Sequence, residues 1–123
     1  MPVPILKLRD TLIVSIQAEL DDAELDQLRA DLARRVGEKG VRGLVIDVSA
    51  LDVLDSYASR LLVGIVKVST LRAANAVIVG IQPEVAFAMV QLGLTLEGID
   101  TALDLDEGLA LLERRKKEPR GGG

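Results

Sequence analysis

Three short runs of branched aliphatic residues, "TLIVSIQ" at 11 to 17, "GLVIDV" at 43 to 48 and "AVIVGI" at 76 to 81, recur at intervals wide enough for a helix between each pair. Runs with so little polar alternation read as strands covered on both faces, the condition of a parallel sheet. The segments between them change period. Leu25, Leu28, Leu32 and Val36 form one stripe of an amphipathic helix, with Asp21 or Asp22 as its N-cap and Gly37 or Gly40 as its stop. A second helix, "DSYASRLLVGIVKVSTLRAAN", carries apolar positions Tyr57, Leu61, Ile65 and Val68, with Asn75 as its C-cap. Gly64 inside it costs about 1 kcal/mol relative to Ala, which points to close packing there.

The ends of the chain complete the pattern. "VPILKL" and "TLIVSIQ", joined by Arg9 and Asp10, read as a hairpin with one edge strand and one strand buried more fully. "QPEVAFAMVQLGL" is a short helix with Pro83 at or near its first position and Gly93 at its end. Ile99 to Ala102 offers a brief last strand. "DLDEGLALLERRKKE" closes the fold as a helix, with Asp104 and Glu107 at capping-box spacing and Leu105, Leu109 and Leu112 on one face. The order is ββαβαβα(β)α, a single α/β domain with a mixed, mostly parallel β-sheet and flanking α-helices. At 123 residues the chain is long enough to bury a real core.

Composition narrows the chemistry. The net charge is −4, and Tyr57 and Phe87 are the only aromatics, so neither a basic surface for phosphates nor a stacking platform for bases is present. The one basic cluster, "ERRKK" at 113 to 117, sits at a helix end, where cations complement the macrodipole. Cys and His are both absent. That excludes disulfides, a thiol nucleophile and a Ser-His-Asp triad, and removes the commonest metal ligand. "MPVPILKLRD" does not read as a signal peptide, and no apolar stretch is long enough to span a bilayer, so a cytoplasmic protein is expected.

"GEKGVRG" has spaced glycines and a Lys, but it lies between a helix and a strand. A phosphate loop must follow a strand and open a helix, so this order is wrong for one. Asp47, Asp52 and Asp55 could be drawn as an oxygen-ligand metal site, yet acids at strand ends and helix starts are ordinary caps. Glu19, Asp21 and Asp22 concentrate negative charge before the first long helix. They form a possible partner patch, or else they complement that helix's N-terminus.

The stretch "LDSYAS" at 54 to 59 holds the remaining candidate. Asp55 or Ser56 can cap the second long helix. Alternatively, Ser56 is a hydroxyl presented where a strand's carboxyl end meets a helix N-terminus, the place where α/β sheets gather functional residues. A phosphoryl group there would add about −1.5 to −2 charge beside Asp52 and Asp55. Ser59, a second hydroxyl one turn later, reads as an exposed helix position.

The segments "PILKL", "LIVSIQAELDD", "VIDVSALDVLDS", "VGIQPEVA" and "LGLTLEGIDTALDLDEGL" together resemble the STAS domain of bacterial anti-sigma-factor antagonists, and within it the RsbS-type scaffold of the stressosome. The resemblance implies a STAS fold over residues 1–118, with a flexible C-terminal tail at 119–123. It implies no enzymatic activity, no catalytic residue, no metal and no cofactor. Ser56 takes the place of the serine phosphorylated by a switch serine kinase of the RsbT type and reset by a phosphatase. Asp52, Asp55, Tyr57, Ser59 and Arg60 flank that switch and face the kinase. An RsbR-type STAS paralogue is the implied co-assembly partner, and a homo-oligomer, a dimer, is expected. The unmodified protein would sequester the kinase and release it on phosphorylation. One departure stands out: family members follow the D-S step with a small residue and Gly, whereas "DSYASR" presents Tyr57 and Arg60, a bulkier surface. The alternative is a small nucleotide-binding STAS module, which some members of the family imply.

Overall fold

In the computed structural model, which describes residues 3–17, 20–93 and 99–117, the N-terminal hairpin forms as expected. Strand β1 (Ile5–Leu8) runs antiparallel to β2 (Thr11–Ser15), with Ile5 opposite Val14. β3 (Gly43–Asp47), β4 (Asn75–Val79) and β5 (Asp100–Ala102) then add in sequence, each parallel to its neighbour. The result is one five-stranded mixed sheet in the order β1-β2-β3-β4-β5. The expectations placed on Glu19 and on the tail at 119–123 lie outside the described residues.

Register explains why the strands lack polar alternation. Leu12, Leu44, Ile46, Ala76 and Ile78 point to one face and join the core beneath helices α1 (Asp22–Arg35), α2 (Ser56–Leu71) and α3 (Pro83–Gln91). Ile13, Val45, Val77 and Val79 point to the opposite face, where Leu112 of α4 (Leu105–Lys117) covers them. With helices on both sides of β3 and β4, Leu44 to Ile46 and Ala76 to Val79 carry apolar side chains on both faces. The stripe Leu25, Leu28, Leu32 and Val36 is buried throughout. Among the described residues, no helix is long and apolar enough to cross a membrane.

Several local expectations are corrected. Asn75 does not cap α2. The helix ends at Leu71 with Arg72 as its cap, Ala73 takes the left-handed conformation (φ 65°), and Asn75 opens β4 with its N–H on the Arg42 carbonyl. The sheet claims that backbone before a cap can. Gly37 directly follows the α1 cap, Val36, while the left-handed turn falls at Gly40 (φ 87°), so the two glycines share the work. Tyr57 does not belong to the buried stripe of α2, being 39% exposed. The buried arc also takes in Leu62, Val66, Ser59 and Ser69, which turns its centre away from Tyr57. Among the described residues, no atom beyond Gly64's chain neighbours and its own helix backbone lies within 4 Å of where its Cβ would sit, so packing among them does not account for that glycine. On α4 the buried positions are Gly108 and Leu112, and Leu105 is exposed.

The basic end of α4 does more than complement a dipole. Lys116 Nζ donates to Asp10 Oδ1 at 2.7 Å and to Glu113 Oε1 at 2.8 Å, and Arg115 pairs with Asp100 at 2.8 Å. These contacts tie the helix to the β1–β2 turn and to β5. The hydrogen bond from Lys116 holds the Asp10 carboxyl below its ordinary range despite partial desolvation, and the Asp10 contact in turn raises the Lys116 ammonium. A depressed carboxyl adds stability above its unfolded pKa, about 4, and loses it as pH falls through the folded value. A raised ammonium adds stability below about 10.4 and loses it as pH rises through the folded value. Lys116→Met should therefore cost about 1 kcal/mol between those limits. In denaturant melts across pH, the gap from wild type should close below about pH 4. A gap of constant size would show that lost packing, not the ion pair, sets the cost.

Candidate functional site

The connection from β3 to α2, residues 48 to 55, is pinned from beneath. Leu51 and Leu54 are buried in the main core, while Asp52 and Val53 between them are exposed. Its start is set by an Asx turn, in which the Asp47 carboxylate accepts the Ser49 N–H at 2.9 Å. A second brace comes from the connection between β4 and α3. Gln82 Nε2 donates to the Ser49 carbonyl at 2.7 Å. Gly80, at φ 78°, passes so close that a Cβ there would lie 2.8 Å from Ser49 Cβ. These residues escaped sequence reasoning as functional parts. The only signal was the segment "VGIQP" itself, whose Gly and Gln can now be assigned a job.

The brace decides the helix register, and with it the question of which residue caps. Asp55 is the N-cap: its backbone is extended (φ −83°, ψ 174°) and its Oδ1 accepts the Ala58 N–H at 2.8 Å. Ser56 is the first helical residue and is exposed. Among the described residues its hydroxyl makes no side-chain hydrogen bond. Ser59 is the reverse case. It is fully buried, and its hydroxyl donates to the Asp55 carbonyl at 2.8 Å, so the reading of Ser59 as an exposed position is corrected. Tyr57 and Arg60 are exposed on the same two turns as Ser56.

The acids separate. Asp22, in the first turn of α1, lines a cleft of about 180 Å³ together with Asp55, Val53, Ala58, Leu20 and Leu51. Asp22 thus joins the Ser56 region. Asp21 is the α1 N-cap in a reciprocal capping box: it accepts the Glu24 N–H at 2.8 Å, and Glu24 accepts its own N–H at 3.1 Å. It faces a different groove of about 320 Å³, lined also by Glu24 and Asp31. Asp47, Asp52 and Asp55 are not gathered, and among the described residues no group of three or more acids could hold a metal ion. The 180 Å³ cleft is smaller than ordinary ligand pockets, and both cavities present carboxylates where a polyphosphate would need donors.

Comparison with known proteins gives this arrangement its context. The STAS domain family model matches residues 3–108. The structure of RsbS from Moorella thermoacetica, in a form carrying a serine-to-glutamate substitution, superimposes with a TM-score of 0.86 and 37% identity over 94% of this chain and 98% of that one. A chain from the molecular architecture of the stressosome, described as a signal integration and transduction hub, gives 0.80 and 38% over 94% of this chain and 100% of its own. The RsbT co-antagonist protein RsbRC of Bacillus subtilis is 31% identical over 99 residues. That alignment takes in 76% of this chain but spans only 35% of RsbRC. With the sheet, the capped α2 start and these likenesses in agreement, the chain belongs to the STAS domain family and is of the RsbS-type among its anti-sigma-factor antagonists.

Proposed function

We propose that this chain is a non-enzymatic scaffold of a stressosome-type assembly and a phospho-switch acting through Ser56. The observation that carries the reading is the division of labour at the start of α2. Asp55 does the capping, so the Ser56 hydroxyl stands exposed with no structural duty. A kinase can reach it without unfolding the helix. In the transfer, Ser56 Oγ attacks the γ-phosphorus of ATP, the bond to the ADP oxygen breaks, and the hydroxyl proton passes to the kinase's base. The kinase is a serine kinase of the RsbT type, held by the unmodified surface of Asp52, Asp55, Tyr57 and Arg60. The new dianion disrupts that contact and releases it, and a phosphatase restores the hydroxyl.

Likeness to a stressosome chain and to an RsbT co-antagonist supports co-assembly with an RsbR-type STAS paralogue, through a homodimeric building unit, in the cytoplasm. In this reading residues 1–118 are the STAS domain and 119–123 a tail. The carboxylates that line both clefts weigh against the nucleotide-binding alternative. Incubation with an RsbT-type kinase and ATP should place one phosphate on Ser56 by mass spectrometry, and Ser56→Ala should reduce incorporation to background. Equal incorporation into the Ser56→Ala protein would refute the assignment. Mixing with an RsbR-type paralogue should shift both chains to a large particle on size exclusion; two separate small peaks would refute the scaffold role.

A further inference from the structure

Ser56 and Arg60 stand four residues apart at the start of α2, which brings their side chains to neighbouring places on one helix face. Both residues are exposed. Arg60 is the single cationic residue between Gly43 and Val66. Among the described residues it enters no ion pair, whereas Arg29, Arg34, Arg35 and Lys116 each hold a carboxylate. The connection that leads into the helix is acidic. Asp52 and Asp55 stand on the connection just before the helix, and Asp22 of α1 lines the same cleft as Asp55. The Asp55 carboxylate accepts the Ala58 N–H, and among the described residues it forms no ion pair with Arg60.

A dianion placed on Ser56 would follow Asp55 directly in the chain, with Asp52 on the same connection, and like-charge repulsion would oppose it. A guanidinium one turn along offers the fork geometry that phosphate oxygens accept in pairs. We propose that Arg60 is the built-in counter-ion of phosphorylated Ser56, its guanidinium closing on the phosphoryl oxygens. Modification then changes the surface twice: it adds a dianion and withdraws the cation at the start of α2. This inference rests on the reading of Ser56 as the modified residue.

The test separates the two. Phosphoserine is installed at position 56 of the full-length chain during translation, so no kinase is needed. The second ionisation of the phosphate is then followed by phosphorus NMR in wild type, Arg60→Gln and Arg60→Lys. The wild-type phosphate should titrate about half a pH unit below that of Arg60→Gln, with the Lys variant between them. The difference should shrink in 1 M salt, where screening is short-ranged. Identical midpoints in wild type and Arg60→Gln overturn the pairing, even if kinase assays show that Ser56 is phosphorylated. Weaker kinase capture by unmodified Arg60→Gln follows from its place on the kinase-facing surface; with no shift of the phosphate, that contact is its whole role and the pairing is overturned. Failure of the kinase to modify Ser56 would strike the functional reading alone.

Discussion

Gly108→Val should be the most damaging single substitution on α4, costing about 3 kcal/mol in urea-unfolding free energy. A Cβ at Gly108 would already lie 2.6 Å from Val79 Cγ1 and 3.4 Å from Val77 Cγ1, and Val adds two methyl groups beyond it. Both valines sit on strand β4, in the middle of a sheet covered on both faces, so neither can yield without disturbing the opposite layer. Against this, any non-glycine residue gains under about 1 kcal/mol of helix propensity, too little to offset the overlap. Gly64→Ala is the built-in control. Its Cβ meets nothing within 4 Å, so the propensity term stands alone and the variant should be more stable by about 0.5 to 1 kcal/mol. Equal responses at the two glycines would show that α4 does not pack as closely on β4 as this geometry has it.

Leu32→Ala should cost about 3 to 4 kcal/mol. Leu32 is fully buried and belongs to the core shared by α1, α2 and the front of the sheet. Truncation removes the transfer free energy of the lost carbons and leaves a cavity that branched neighbours held by their own rotamers fill poorly. Leu71→Ala removes the same atoms from a residue that is 85% exposed and should change stability by less than about 0.5 kcal/mol. The pair also bears on cooperativity. If Leu32→Ala lowers the slope of the transition as well as its midpoint, the front and reverse layers unfold separately.

Much of the fold was legible because it is written in period and punctuation. The β-branched runs, the stripe from Leu25 to Val36, Pro83 at the first position of α3 and Gly93 (φ 74°) after its cap are local signals with local causes. Where the reading slipped, a tertiary demand outweighed a local one. Asn75 is a good helix terminator, but the sheet required its backbone opposite Gly43. Tyr57 fits an apolar stripe by spacing, yet the two buried serines show that the arc facing the core is set by how α2 lies against α1 and β4, not by hydrophobicity alone. Ser59 looked exposed because a serine in a helix usually is; back-bonding to the Asp55 carbonyl satisfies its hydroxyl and makes burial tolerable.

The same division runs through the site. From the residues alone, either Asp55 or Ser56 could cap α2, because each offers an oxygen to the first free N–H groups. Sequence determined that a hydroxyl and an acid stand together at a strand-to-helix junction in a chain without His or Cys, and so set the class of chemistry available. Only the tertiary structure decided which of the two is spent on the backbone. Leu51 and Leu54 anchor the connection from below, and the Gln82 to Ser49 hydrogen bond clamps it from the start of α3. Together they leave Asp55 in the capping position and Ser56 one residue inside the helix, facing solvent. A shift of one residue would exchange their roles, and contacts that set such a shift come from parts of the chain that no local pattern connects.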